Sequence, residues 1–186
     1  MKTVSERSAD MTIVAGATSI VGNYIGPDDV LLTYLPLAHI FELVVENASL
    51  YWGSVMGYGS PKTLSDASMR NCKGDIQELK PTLMIGVPAV WENVRKEIMQ
   101  KIGQASIIAR TMFWGSLYLK KFLVRRSLPG SELLDVIVFK RVKKATGGRL
   151  RLCISGASPI AKDTQEFVSY VIAPMINGYG LTETSA

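Results

Sequence analysis

The chain has 186 residues, of which 47% are hydrophobic and 20% are charged. This composition is typical of a folded domain with its own core and argues against a disordered chain. Lysine and arginine number 21 against 16 aspartate and glutamate residues, which gives a net charge of +5. The excess favours anionic partners such as nucleotides, CoA or lipid headgroups, although solubility alone also explains it.

Cys72 and Cys153 lie far apart and belong to no CxxC or Cys/His cluster. We therefore expect no disulfide framework and no zinc site. Residues 1–10 are too charged for a secretory signal, so we expect an intracellular, reducing compartment. No segment supplies the roughly 18 nearly uninterrupted apolar residues of a membrane span, so we also expect no transmembrane helix.

The first predicted unit is a strand, a helix and a second extended segment. Residues 30–35 form a short apolar run that stops at Pro36, which is typical of a strand buried on both faces. Residues 41–52 have apolar side chains at helical spacing, and Gly53 is a common residue at helix ends. Residues 54–58 then resume an extended pattern.

A second unit begins with a short helical stretch at residues 75–79. A buried strand at residues 82–87 follows, and Pro88 is well placed to open a helix over residues 89–102, because proline is tolerated in a first turn.

The third unit places a strand at residues 149–154, a turn at 155–159 and a helix at 162–172, before residues 175–177 lead into Gly178. Strand–helix alternation repeated in this way predicts an α/β domain with a parallel sheet.

A long helical region at about residues 104–145 interrupts this alternation. Basic amphipathic helices of this kind can lie on an anionic bilayer. An insertion packed on its own domain with solvated lysines explains the pattern too, and we favour it. The apolar face is predicted to contain Ile107, Ile108, Met112, Leu119, Phe122 and Leu123, and the positive charge comes from Lys120, Lys121, Arg125, Arg126, Lys140, Arg141, Lys143 and Lys144.

Three segments follow the predicted strands, where open α/β sheets bind ligands. Residues 36–42 contain His39, the only histidine, and a lone histidine is more often structural than functional. The small residues at 155–159 allow a flat ligand to approach the backbone, although an ordinary turn is the simpler interpretation. Residues 178–184 set an aromatic ring between glycines, followed by hydroxyl and carboxylate groups suited to phosphate and Mg²⁺. The chain has no dinucleotide-binding, Walker-type or nucleophile-elbow motif.

Several of these segments match a known family. The sequences YLPLAHIFE at 34–42 and GYGLTET at 178–184 resemble two hallmark motifs of the acyl-adenylate-forming enzymes. The sequences SPKTL at 60–64, KPTLMIGVPAVWE at 80–92 and SGASP at 155–159 resemble the long-chain fatty acyl-CoA synthetases of that superfamily, in their fungal form. The chain thus resembles an internal fragment of such a ligase.

The resemblance implies a two-step ligase reaction. A long-chain fatty carboxylate attacks the α-phosphate of ATP to give acyl-AMP and pyrophosphate, and the thiol of CoA then displaces AMP. Mg²⁺ would neutralise the triphosphate. Fatty acid, ATP and CoA are the implied substrates, and no nucleic acid is expected as a partner. Related enzymes work at membranes of the endoplasmic reticulum, lipid droplets or peroxisomes, which implies peripheral membrane localisation.

The resemblance also assigns roles by motif position. His39 would lie beside the acyl carboxylate, with Phe41 and Leu43 lining the acyl tunnel. Thr182 would contact the α-phosphate, and Glu183 would hold the metal. The adenine-nucleotide site would comprise Gly156, Ala157, Ser158, Gly178, Tyr179, Gly180 and Thr182.

The resemblance implies one partial AMP-binding domain over residues 1–186, part of the parallel-sheet subdomain in the large N-terminal domain of these enzymes. Residues 1–26 match poorly and contain no family phosphate loop, and the ribose-binding aspartate and the catalytic lysine would lie beyond Ala186. Such groups are each worth roughly 3 kcal/mol or more in the transition state, about a hundredfold in rate. We therefore expect the isolated chain to be inactive or nearly so, and to depend on the remainder of the synthetase fold.

Two alternatives remain open. The chain can belong to an enzyme of the same superfamily that activates a different carboxylate. It can also be a non-catalytic lipid- or nucleotide-binding interaction protein that retains half of the site. Detectable fatty acid binding without any adenylate formation would favour the second alternative.

Overall fold

The computed structural model describes residues 25–36, 39–66 and 69–178. Within them, strands pair in the order β2-β1-β3-β4-β5, and every neighbouring pair is parallel. Parallel neighbours need long crossover connections, which helices supply here. The predicted α/β class with a parallel sheet is confirmed. The strands are β1 (Val30–Thr33), β2 (Val55–Tyr58), β3 (Leu83–Gly86), β4 (Leu152–Ser155) and β5 (Met175–Asn177).

The helices occupy the predicted connections. Gly53 ends the first helix in a left-handed conformation with φ 71°, and Pro88 stands in the first turn of the third, both as their residue types indicate. The helices are α1 (Ile40–Trp52), α2 (Asp75–Leu79), α3 (Pro88–Gly103), α4 (Ile107–Arg125), α5 (Ser131–Leu134), a π-helical segment (Asp135–Phe139), α6 (Lys140–Ala145) and α7 (Lys162–Val171).

Two apolar layers cover the sheet, one on each face. Alternating strand residues point to opposite sides, so that Leu32 and Met84 belong to one buried cluster while Leu31 and Leu83 belong to the other. The first cluster contains residues of α3, α4 and α7, and the second is covered by α1, for example through Val45. Burial on both faces explains why the central strands β1 and β3 read as unbroken apolar runs.

An ion pair between the buried Asp29 and the largely exposed Arg151 fixes the amino-terminal edge of the sheet. The Asp29 carboxylate accepts hydrogen bonds from Arg151 Nε at 2.8 Å, from Thr82 Oγ1 at 2.6 Å and from the Gly26 amide at 3.0 Å. Burial by itself would raise the pKa of Asp29, but the hydrogen bonds from Arg151, Thr82 and Gly26 outweigh it and hold the pKa below its ordinary value. Three chain segments that enter β1, β3 and β4 are thereby joined.

The helical insertion packs against its own domain. Lys120 on α4 is buried, where its ammonium group donates to the Tyr170 carbonyl at 2.6 Å and to the Asp135 carboxylate. Lys143 also pairs with Asp135 at 3.0 Å, and Lys121 pairs with Glu166 at 2.9 Å. The interpretation that we favoured is therefore supported, except that Lys120 is buried rather than solvated, because Asp135 and Tyr170 satisfy its charge.

The apolar face predicted for α4 is not the face that packs. Phe113 and Leu117 are buried in the core, and Leu123 is partly buried. The core covers a different side of the helix from the one predicted. The other predicted residues are therefore exposed, namely Ile107, Ile108, Met112, Leu119 and Phe122. None of the helices in the described part of the chain is long and apolar enough to cross a membrane.

Candidate functional site

The carboxyl ends of the strands gather the candidate residues that the structure describes. His39 follows β1, and the loop that begins at Gly156 follows β4. The Gly156 amide donates to the Gly86 carbonyl at 3.3 Å, and the Gly178 amide donates to the Ser155 carbonyl at 2.8 Å. The ends of β3, β4 and β5 thus stay joined beyond the strands, at the edge where open α/β sheets bind ligands.

His39 is the N-cap residue of α1 and is exposed. Its Nδ1 accepts a hydrogen bond from the Phe41 amide at 3.2 Å. Because Nδ1 is the acceptor, the neutral imidazole carries its proton on Nε2. The histidine therefore has a local structural role as a helix cap and still offers an N–H donor for a ligand.

Phe41 and Gly156 are in contact, although the sequence analysis assigned them to different subsites. A Cβ atom added to Gly156 would lie 2.6 Å from Cζ of the Phe41 ring, closer than real side chains approach. The missing side chain of Gly156 therefore makes room for Phe41. Phe41 also packs against the apolar cluster beneath α1, and Leu43 is partly buried on the same helix.

The loop after β4 has an unusual backbone. Ala157 has φ 68°, a left-handed conformation that residues with a Cβ atom seldom adopt. Ala157 and Ser158 are exposed, whereas Gly156 is buried. Strain of this kind is concentrated at ligand clamps and active sites, where surrounding structure maintains it.

Three buried polar atoms at this end of the sheet lack a hydrogen-bond partner within the part of the chain that the structure describes. They are Tyr34 OH, Glu42 Oε1 and Ser155 Oγ. An unsatisfied buried polar group costs about 1–3 kcal/mol, so such groups normally face water or a ligand. Their position beside His39 and the strained loop fits a site for a polar ligand.

Glu42 has an altered acidity. The residue is only 2% exposed, and burial together with the Glu46 carboxylate raises its pKa to about 7, against opposing hydrogen bonds with the backbone of Leu35 and Tyr34. Sequence reasoning placed Glu42 in a motif but gave it no role. The available signal was a carboxylate at the third position of a helix, three residues after the capping His39.

Cys153 in β4 faces the core rather than the site. The thiol is fully buried, and this burial raises its pKa to about 12. A thiol with so high a pKa is a poor nucleophile, which makes the residue a packing element.

Four of the predicted site residues lie outside the described residues: Tyr179, Gly180, Thr182 and Glu183. Gly178 is the last described residue. The hydrogen bond from its amide to the Ser155 carbonyl puts the start of the motif at 178–184 next to the loop after β4. Within residues 25–36, 39–66 and 69–178, no cluster of histidine, cysteine and carboxylate side chains is arranged to hold a metal ion. The predicted metal ligand, Glu183, is thus untested by this geometry.

The comparison with protein families decides the identity of this fold. The model of a family described as AMP-binding enzyme matches residues 7–186. The chain belongs to the AMP-binding enzyme family. Among curated members, it is 53% identical over 173 residues to long-chain-fatty-acid–CoA ligase 2 of Schizosaccharomyces pombe, covering 93% of this chain and 25% of that protein. It is 49% identical over 176 residues to palmitoyl-CoA ligase FUM16 of Gibberella moniliformis, covering 93% and 26%.

The AMP-binding chain therefore spans about a quarter of the length of the curated relatives it matches. Among solved structures, ATP-bound MatB from Rhodopseudomonas palustris matches with a TM-score of 0.54 and 23% identity, over 92% of this chain and 25% of that one. At that identity, the likeness bears on the fold alone. The resemblance to fungal long-chain ligases and the expected fold are both confirmed.

Proposed function

We propose that this chain is part of a long-chain fatty acid–CoA ligase that activates its substrate with ATP and transfers the acyl group to CoA. The observation that carries the proposal is the contact between Phe41 and Gly156, since it joins the acyl candidate to the nucleotide candidate. Adenylation requires the fatty carboxylate and the α-phosphate to meet, and reacting atoms must lie about 3–3.5 Å apart. The names of the relatives support a long acyl chain as substrate.

In this proposal, the β1–α1 segment holds the acyl group. Phe41 and Leu43 line the tunnel, and His39 lies at its end beside the carboxylate. Its Nε2–H donor is available because Nδ1 already accepts from the Phe41 amide. The helix thus orients the carboxylate toward the loop after β4.

The loops after β4 and β5 hold the nucleotide. Gly156, Ala157 and Ser158 pass beside the adenine, and Tyr179, between Gly178 and Gly180, contacts the base. Thr182 donates to the α-phosphate, and Glu183 binds Mg²⁺ through a hard oxygen ligand. When bound, Mg²⁺ neutralises the charge of the triphosphate. The strained φ of Ala157 and the unpartnered Ser155 Oγ support a polar ligand at this edge.

We also propose that the enzyme works at a membrane surface of the endoplasmic reticulum, lipid droplets or peroxisomes, as a peripheral protein. The exposed apolar side chains of residues 104–145 support this contact.

The 186-residue chain by itself is expected to turn over no substrate, because the phosphate loop and the adenylation lysine of the family are not matched within it.

The test uses the longer protein that contains this chain. It is incubated with ATP, palmitate and CoA, and formation of pyrophosphate and palmitoyl-CoA is followed. We expect the His39→Ala variant to lose most adenylation, about a hundredfold if the donor acts in the transition state. The matched variant His39→Asn keeps a capping side chain and separates helix stability from chemistry. Fatty acid binding with no pyrophosphate release would contradict the ligase proposal and favour a binding protein.

A further inference from the structure

Two hydroxyl groups are buried at the carboxyl edge, on the face of the sheet that α3 and α7 cover. Tyr34 is 4% exposed and Ser155 is 0% exposed, and neither hydroxyl has a hydrogen-bond partner among the described residues. Tyr34 belongs to the same apolar cluster as Cys153. Ser155 comes two residues after Cys153 in β4 and therefore points to the same face. The two hydroxyls thus lie on one side of the sheet.

Gly86 lies between them. It pairs with Ser155 in the register of β3 and β4, and β1, which leads into Tyr34, is the neighbour of β3 on the other side. A Cβ atom added to Gly86 would lie 2.7 Å from the Tyr34 hydroxyl oxygen, so this oxygen reaches over the glycine. Neighbouring strands are about 4.8 Å apart, so Ser155 lies about one strand spacing further on. Two hydrogen bonds of about 2.8 Å each span such a gap through one water molecule.

The Gly86 carbonyl is not available to either hydroxyl. It already accepts hydrogen bonds from Trp91 Nε1 at 3.2 Å and from the Gly156 amide at 3.3 Å, which occupies both of its lone pairs. Burial and the nearby Glu42 carboxylate raise the pKa of Tyr34, so its hydroxyl keeps its proton and can donate. Buried polar groups in this situation are normally joined by an ordered water.

Ser155 opens the loop that contains Gly156, Ala157 and Ser158. On the other face of the sheet, Phe41 contacts Gly156 and packs into the second apolar cluster beneath α1. A link between Ser155 and β1 would hold the same loop from the α3 face. Ala157 has φ 68°, and a strained conformation of this kind persists only where the surrounding structure maintains it.

We propose that Tyr34 is a positioning residue of this loop, and that its hydroxyl and the Ser155 hydroxyl share one buried water. The link fixes Ser155 from the α3 face while Phe41 supports the loop from the α1 face, which keeps the strained turn at Ala157 in place. Because both hydroxyls are buried, they act on the nucleotide through the loop that holds it. The inference rests on the proposed nucleotide role of residues 156–158.

The test measures ATP binding by the longer protein that contains this chain, as the Kd from titration and as the KM and kcat of pyrophosphate release. Tyr34→Phe and Ser155→Ala should each raise the Kd and the KM for ATP about fivefold, the factor expected from one lost hydrogen bond, with a smaller change in kcat. The double variant should bind no more weakly than either single variant, because the first substitution already breaks the link.

Two control variants separate positioning from a general loss of stability. Tyr118→Phe removes the hydroxyl of a tyrosine that is 77% exposed. Ile98→Val shortens a buried side chain of the same apolar cluster as Tyr34, and should lower stability without changing the loop. Both controls should keep the Kd of the parent protein for ATP.

A crystal structure of the longer protein supplies a readout that does not depend on ATP. We expect one ordered water within hydrogen-bond distance of both Tyr34 Oη and Ser155 Oγ. Density without that water, additive losses in the double variant, or an unchanged Kd in both single variants would overturn the inference.

The outcomes also separate this inference from the ligase proposal. Coupled losses of ATP affinity in a protein that releases no pyrophosphate would contradict the ligase proposal alone. Pyrophosphate release with additive losses from the two substitutions would contradict this inference alone.

Discussion

The two edges of the sheet differ in how completely their polar groups are satisfied. At the amino-terminal edge, Asp29 is hydrogen-bonded by Thr82, Arg151 and the Gly26 amide. At the carboxyl edge, Tyr34 OH, Glu42 Oε1 and Ser155 Oγ are buried without a partner among the described residues, and Ala157 is strained. At the amino-terminal edge one buried polar atom, Trp52 Nε1 at the end of α1, also lacks a partner among the described residues, against three at the carboxyl edge. A ligand site is expected to leave more such groups for its ligand. From this difference we expect the carboxyl edge to bind the ligand and the amino-terminal edge to serve stability.

The largest effect is expected from breaking the ion pair between Asp29 and Arg151 at the amino-terminal edge. Arg151→Met leaves the Asp29 carboxylate buried with two fewer hydrogen bonds. Because the Arg151 side chain is 42% exposed, we expect a loss of about 2 kcal/mol in the free energy of unfolding, below the roughly 3–5 kcal/mol of a fully buried pair. Urea denaturation measures it, with the exposed Arg149→Met as control. The loss should diminish in acid, because folding lowers the pKa of Asp29. The stability that the ionised Asp29 contributes is present above the unfolded pKa of about 4 and disappears as pH falls through the folded pKa. A pH-independent loss would contradict the assignment.

The next effect concerns Glu42, whose pKa in the folded protein is about 7, above the ordinary glutamate value of 4.5. A raised pKa in the folded protein means that folding favours the protonated carboxyl group. The stability that this preference contributes is complete below the unfolded pKa and is lost as pH rises toward the folded pKa. Glu42→Gln should therefore be more stable than the parent by about 2 kcal/mol above roughly pH 7, with little gain near pH 4.5. Urea titrations at both pH values measure the difference. The control Glu92→Gln, at an exposed site, should show no such gain in stability with pH. An identical gain in both variants would refute the special environment of Glu42.

A smaller effect tests the contact that joins the two subsites. Gly156→Ala places a Cβ against the Phe41 ring, and overpacking should cost about 1–2 kcal/mol. Adding Phe41→Leu should recover part of that loss, which a double-mutant cycle by thermal unfolding detects. Gly115→Ala is the matched control, because a Cβ there meets nothing within 4 Å and helix propensity favours alanine. Strict additivity of the two substitutions would contradict the contact.

The smallest effect sharpens the contrast at the strained loop. Ala157→Gly relieves a left-handed φ at a residue with a Cβ atom, so the folded protein should gain about 0.5 kcal/mol, net of the greater freedom of glycine when unfolded. The same substitution should weaken nucleotide binding by the longer protein, because the loop is less preorganised. Calorimetry and nucleotide titration measure the two effects. Loss of stability with unchanged nucleotide affinity would contradict a functional origin of the strain.

The sequence predicted the sheet well because its strands are short apolar runs between clear breakers. The helix at 75–79 and the opening of α3 at Pro88 were both found, since proline and glycine act locally. The predicted first strand extended to residue 35, whereas β1 ends at Thr33. Strand ends depend on pairing with neighbours, which a run of apolar letters does not reveal.

The insertion was predicted less completely. Its helices were recognised, but α4 has apolar residues around much of its circumference, so periodicity did not distinguish the face that packs from the face that is exposed. The burial of Lys120 depends on Asp135, fifteen residues away, and on the Tyr170 carbonyl, fifty residues away. Glu42 was missed as a perturbed group for the same reason, since its altered pKa results from tertiary burial.

The most direct measurement is hydrogen–deuterium exchange of the longer protein with and without a non-hydrolysable acyl-AMP analogue. The account predicts protection of the amides around His39 to Leu43 and Ser155 to Ser158 at the carboxyl edge, and unchanged exchange around Gly26 to Val30 and Arg149 to Arg151 at the opposite edge. Protection at the amino-terminal edge alone, or none at either edge while the analogue is bound, would contradict the assignment of the ligand site.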